Sequence, residues 1–179
     1  MEKIVVSENK RYLMYESGKP FFWLGDTAWL LFQNLSFDEA EKYIKNRADK
    51  GFNVIKAVIV HKPTDANFYG EHALYDESIT KTFVDGSPDL EHENSYWNHI
   101  DRILDMAEEA GLYLGLLPVW GSVADSGCLN DVNVVEYGTW LAKHFKERNN
   151  VVWIIGGDTK GDEHLDLWNT LGNTIKSHD

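Results

Sequence analysis

Apolar residues along this chain alternate between short continuous runs and stretches with helical spacing. Val151, Val152, Trp153, Ile154 and Ile155 are too few for a helix but suit a strand buried on both faces. Residues 52–60 and 112–119 read the same way, and Phe21, Phe22, Trp23 and Leu24 predict a first buried strand ahead of Gly25 and Asp26. Helical spacing fills the intervals. Ser36 and Glu39 form a capping box that opens a helix carrying Ala40, Tyr43, Ile44, Arg47 and Ala48, and Gly51 stops it. Asn94 and Ser95 can cap a second helix, with Ile100, Ile103, Leu104, Met106 and Ala107 on one face and Gly111 at its end. A third runs from Asn130 or Asp131 to Arg148, and a fourth spans residues 162–178 with Leu165, Leu167, Trp168, Leu171 and Ile175 as its stripe. Residues 3–6 and 11–15 predict a small antiparallel hairpin ahead of everything else. The pattern is a hairpin followed by four βα units with right-handed crossovers, and no long linker divides it, so residues 1–179 form one domain.

In parallel α/β folds the C-terminal ends of the strands gather the chemistry. Asp158 stands at such an end, after Gly156 and Gly157, which allow a tight turn. Two readings of it stay open: a carboxylate presented above the sheet, or a cap for the following turn. Residues 61–93 lose all periodicity, and at about thirty residues the segment is long enough to be a functional excursion. Phe68, Tyr69, Tyr75 and Phe83 predict that it is ordered and docked. Trp29, Tyr69 and Trp120 are candidates to stack on a sugar ring, with core packing as the alternative.

Composition narrows the partners. A formal net charge of −12 disfavours a phosphate-backbone ligand, so no nucleic acid is expected. Seven tryptophans and eight tyrosines are many for this length and fit a ring-binding cleft. The lone Cys128 allows no intrachain disulfide, and the seven histidines show no paired ligand spacing, so neither a metal nor another cofactor is expected. No run approaches the ~20 apolar residues that cross a bilayer, and the N-terminus lacks an apolar signal core; as written, the chain reads as a cytosolic or recombinant form with no membrane partner.

Four βα units fit either a compact doubly wound sheet or half of an eight-fold barrel. Four blocks bear on that choice: Lys19 to Trp29 (KPFFWLGDTAW), Lys50 to Ile55 (KGFNVI), Gly111 to Leu116 (GLYLGL) and Val151 to Asp158 (VVWIIGGD). In order and spacing they resemble the apiosidase-like glycoside hydrolases from about Arg11 to Asp179. The resemblance implies a (β/α)8 TIM-barrel type fold, here its first four βα units, and cleavage of a glycosidic bond in plant polysaccharide side chains by two carboxylates. Asp158 matches the general acid/base at the end of the fourth strand. Its partner in the family comes from the seventh strand and has no counterpart here, so this chain by itself is expected to be inactive; Asp26, Asp65 and Glu71 are the local candidates for a second acid. Thr159 and Lys160 stand where family members often carry Arg and Asn. His61 and Asn67 are expected to contact a carbohydrate substrate on the same grounds, beside the stacking candidates Trp29, Tyr69 and Trp120, and Asp26 to hydrogen-bond sugar or to position the first loop. The competing reading is a non-catalytic carbohydrate-binding fragment. Half a barrel also leaves two unpaired strand edges, which predicts self-association.

Overall fold

In the computed structural model, which describes residues 1–80, 93–158 and 160–178, the hairpin comes first. Its strands β1 (Ile4–Val6) and β2 (Leu13–Tyr15) pair antiparallel. Ser7 closes the connection, its Oγ accepting from the amides of Arg11 and Tyr12 at 3.2 Å each. The chain continues through β3 (Gly25–Thr27), α1 (Leu31–Asn34), α2 (Phe37–Asp49), β4 (Val54–Val60), α3 (Tyr96–Glu109), β5 (Tyr113–Val119), α4 (Gly121–Asp125), α5 (Val134–Phe145), β6 (Val151–Trp153) and α6 (Leu165–His178). Strands β3, β4, β5 and β6 form one parallel sheet in chain order. Their C-terminal ends therefore lie along one side.

Residues in register across a parallel sheet share a face, and this sorts the core. Ile55, Ala57, Ile59, Leu114 and Leu116 pack against Ala40 and Ile44 of α2 and Ile100, Ile103 and Leu104 of α3. Val54 and Tyr113 point the other way and meet Phe21, with Met1, Ile4, Leu13, Tyr15, Trp23 and Val152 around them. The hairpin thus covers the inner face where β4, β5 and β6 begin. Beyond it, toward the strand ends, the inner face carries Thr27, Lys56, Gly115 and Val152 in register. Hydrogen bonds lock the helices to this frame. The capping box at Ser36 and Glu39 forms as expected, and the Tyr137 hydroxyl donates to the Pro118 carbonyl at 2.9 Å. Asn150 Nδ2 donates to the Leu104 carbonyl at 2.9 Å.

Two strand expectations need correction. Phe21 to Leu24 do not form the first strand: Phe21 turns into the hairpin cluster, Phe22 is 78% exposed, and the sheet starts only at Gly25. The Asn53 side chain holds this stretch instead, its Oδ1 accepting from the Leu24 amide at 2.8 Å and its Nδ2 donating to the Phe22 carbonyl at 2.6 Å. The apolar run that opens at Val151 is a strand, but an edge one. Among the described residues it pairs only with β5, so Val151, Val152 and Trp153 are half-buried rather than enclosed on both faces. Strand β3 is the opposite edge. The long segment after β4 is docked where it is described: Asn67, Ala73 and Leu74 are buried. Phe83 lies outside the described residues.

Candidate functional site

Parallel register brings three aromatic rings from three strand ends together. Trp29 extends β3, its carbonyl accepting from the Val58 amide at 3.1 Å. Trp120 extends β5, its amide donating to the Val60 carbonyl at 2.9 Å, and His61 directly follows β4. The Trp29 and Trp120 rings meet edge-on with centroids 4.8 Å apart, and His61 lies 5.6 Å from Trp120 at a shallow 32°. All three are half-buried, each with a free portion of surface. The Lys56 ammonium sits 4.9 Å from the Trp29 centroid, a cation–π contact on the inner face. Sequence reading missed Lys56. Its signal was a single polar residue inside an otherwise apolar strand run.

The loop of Asp158 approaches this group through Gly157. Gly156 has φ of +105°, a conformation open to glycine, and it turns the chain out of the strand. A Cβ at Gly157 would lie 2.7 Å from the Gly121 amide nitrogen and 3.5 Å from Cε3 of Trp120. The loop of Asp158 is therefore pressed against the turn that carries Trp120. Asp158 itself is exposed, and among the described residues no hydrogen bond or ion pair holds its carboxylate. Thr159, which follows Asp158, lies outside the described residues.

Asp26 is elsewhere. It pairs in register with Ile55, whose side chain faces the helices, so Asp26 faces them too. Its carboxylate accepts from the Tyr43 hydroxyl at 2.8 Å and the Thr27 amide at 2.9 Å and forms an ion pair with Arg47. Burial works to raise its pKa, but the hydrogen bonds from Tyr43 and Thr27 together with the Arg47 charge hold it below the ordinary aspartate value. A carboxylate so occupied on the helix side is set apart from the ring cluster and holds the start of the first loop to α2.

Asn67 and Tyr69 belong to the docked loop after β4. Asn67 is 5% exposed; its Nδ2 donates to the Asn94 carbonyl at 2.8 Å and its Oδ1 accepts from the amides of Tyr69 and Glu71. It clamps the loop shut. The Tyr69 hydroxyl accepts from the Phe37 amide at 3.1 Å, and its ring packs on Phe37 and on the buried His99. Asn67 thus ties the loop to the segment before α3, and Tyr69 ties it to α2 and α3. Asp65, a candidate second acid, instead folds back on the turn after β4, with Oδ2 accepting from the amides of His61 at 2.5 Å and Lys62 at 3.0 Å. Glu71 is half-buried in the clamped loop. Of the seven expected site residues, the structure gathers Trp29, His61, Trp120 and the loop of Asp158. Among the described residues no group of three or more His, Cys, Asp or Glu side chains could hold a metal ion, and no helix is long and apolar enough to cross a membrane.

Known proteins bear on this geometry. The family model described as apiosidase-like, catalytic domain, matches residues 7–179. A glycoside hydrolase of family 5 from Bacteroides vulgatus ATCC 8482 is 37% identical and superposes with a TM-score of 0.89, covering 99% of this chain and 37% of that one. A second solved glycoside hydrolase is 38% identical, with a TM-score of 0.92 and coverage of 99% and 39%. The endo-1,4-beta-mannanase from Rhizomucor miehei, at 14% identity and a TM-score of 0.70, shares the fold, covering 99% of this chain and 58% of that one. No curated protein sequence matches the chain. The chain spans well under half the length of the two more similar structures, and its sheet is the partial TIM-barrel arrangement of four βα units after a hairpin. With the family model matched over nearly its whole length, this chain belongs to the apiosidase-like catalytic-domain family.

Proposed function

We propose that this chain carries the acid/base half of a glycoside hydrolase site that acts on side chains of plant-type polysaccharides, with Asp158 as the general acid/base. One observation supports the reading above the rest. The loop of Asp158 abuts the turn of Trp120, whose ring meets Trp29 and His61 at the same row of strand ends. A sugar resting its C–H face on the half-buried indoles places a glycosidic oxygen within reach of an exposed carboxyl group. There Asp158, as the acid, transfers its proton to the leaving oxygen as the bond from C1 to that oxygen breaks. A second carboxylate must act on the opposite face of the sugar. At ~5–5.5 Å from the first it attacks C1 and configuration is retained; at ~6.5–9.5 Å it activates water and configuration inverts. Asp26 and Asp65 are both engaged in structural hydrogen bonds and Glu71 is half-buried in the clamped loop, which favours the family's seventh-strand carboxylate as the partner.

The test has two arms. Titrating the 179-residue chain with apiose-bearing pectic oligosaccharides, and with cello- and manno-oligosaccharides as comparators, should change tryptophan emission for the pectic set alone. Fusing residues 1–179 to the C-terminal half of the 38%-identical glycoside hydrolase should restore hydrolysis. In that fusion Asp158→Asn should lower the rate by ~10²–10⁴-fold with melting unchanged, the usual contribution of a general acid/base. Binding without hydrolysis in an otherwise folded fusion would favour the carbohydrate-binding reading. Near-normal turnover by Asp158→Asn would remove Asp158 from the chemistry.

A further inference from the structure

The turn after β4 is tied to a buried polar network that the reaction itself does not need. Tyr96, 1% exposed at the start of α3, donates its hydroxyl to the Ile59 carbonyl at 2.6 Å. Gln33 of α1, 8% exposed, donates its Nε2 to the Tyr96 hydroxyl at 2.7 Å, is within 3.3 Å of the Val58 and Ile59 carbonyls, and lies 3.4 Å from Asp65 Oδ2. That same Oδ2 accepts from the His61 and Lys62 amides, and the Asp65 amide donates back to the Lys62 carbonyl at 3.0 Å. One carboxylate oxygen therefore gathers both amides at the exit of the strand and a buried side-chain amide from another helix. Moving the turn would break these bonds and strand further buried polar groups, which is costly, so the arrangement favours this conformation of the turn.

We infer that Asp65 is a positioning residue for His61: by fixing the backbone of the turn it holds the imidazole against Trp120 and so completes the ring shelf. The inference rests on the sugar-site reading above and adds the device that builds it. A loop leaving a strand end is free to point a side chain in several directions. Here His61 lies 5.6 Å from Trp120 at a shallow angle, a contact that requires the peptide between Val60 and Lys62 to stay where Asp65 holds it. Asp65 touches no substrate in this scheme and acts through His61.

The wild-type chain allows the first measurement. Amide hydrogen exchange should show the His61 and Lys62 N–H groups slowed at least ~10-fold relative to an open loop. Free-loop exchange at both would overturn the inference with no variant needed. Asp65→Ala should then abolish the nuclear Overhauser contact between the His61 ring and the Trp120 indole and weaken binding of the pectic oligosaccharide probe by ~10-fold. Asp65→Asn, whose amide oxygen still accepts both N–H groups, should restore both. A folded Asp65→Ala chain that keeps the ring contact, or one that loses it with probe binding unchanged, would equally overturn the proposal. Should no sugar perturb the wild type, the sugar-site reading falls instead, and the exchange and ring-contact results still decide whether Asp65 positions His61.

Discussion

Gly157 and Gly121 meet backbone to backbone: a Cβ on Gly157 would lie 2.7 Å from the Gly121 nitrogen. No real Cβ contact is that short, and the neighbour is main chain rather than a side chain that can swing away. Gly157→Ala must therefore separate the loop of Asp158 from the turn of Trp120. A cost of about 1–3 kcal/mol in stability is expected, in the range of other overpacking changes. In the fused barrel, turnover should fall more than ~10-fold, because a displacement near 1 Å is enough to misplace a catalytic group. An alanine variant with wild-type melting and turnover would show that the two turns do not depend on each other.

His99 links loop docking to pH. It is fully buried in α3 against Phe37 and Tyr69, and burial lowers its pKa to about 4, with nearby Arg102 acting in the same direction against the Leu35 carbonyl. The unfolded chain takes up a proton near the ordinary histidine value of ~6.5, so between that pH and about 4 the unfolded state binds more protons than the folded one. Stability then rises with pH through that window and falls on acidification. The full effect is on the order of 3 kcal/mol. Denaturant titrations between pH 4.5 and 6.5 should show the slope, and His99→Leu should flatten it. An equal slope in both proteins would assign the acid sensitivity to other groups.

Asp26 is predicted to matter for stability and not for sugar. Asp26→Ala removes the acceptor of Tyr43 and the partner of Arg47, at a cost of about 1–2 kcal/mol. Because the folded-state pKa is lowered, the contribution is present above the ordinary aspartate range and is lost as pH falls through the folded value. Oligosaccharide titration of the variant at 20 °C below its melting point should match wild type; a clear loss of affinity would return Asp26 to the site.

Trp29→Ala and Trp120→Ala should differ from Asp26→Ala in the opposite sense. Each removes one face of the ring shelf, and a lost stacking contact of about 1 kcal/mol corresponds to ~5-fold weaker binding. Unchanged affinity in both variants would place the sugar on some other surface.

The sheet edges that no strand covers among the described residues predict self-association of the 179-residue chain. Along β6 a groove of about 330 Å³ is lined by Val151, Trp153, Ile155 and Ile175 with Lys3, Arg148 and Lys176 among them, and at the other edge Phe22 and Leu24 are exposed. Light scattering should report a mass above that of the monomer, rising with concentration. A well-behaved monomer at high concentration would refute this.

The order of elements was legible because it rests on local patterns. Helical spacing in α3 and α5, the capping box of α2 and the apolar runs of β4 and β5 need only near neighbours along the chain. The position of Asp158 at a strand end was legible for the same reason, as were those of Trp29, His61 and Trp120. Their convergence was not, since it depends on β3, β4 and β5 lying parallel and in register. The same register decided Asp26: side chains alternate along a strand, so pairing with Ile55 sends it toward the helices, and a shift of one residue would have sent it inward. Asn67, Tyr69 and Asp65 sit in a stretch with no periodicity to read; the roles of Asn67 and Tyr69 follow from partners 27 and 32 positions away, Asn94 and Phe37, and that of Asp65 from a turn back onto His61 and Lys62 that Gln33, 32 positions away, helps to hold. Strand ends bring chemistry to one row through local sequence alone, but which carboxylates are left free in that row is settled by long-range hydrogen bonds that exist only once the chain is folded.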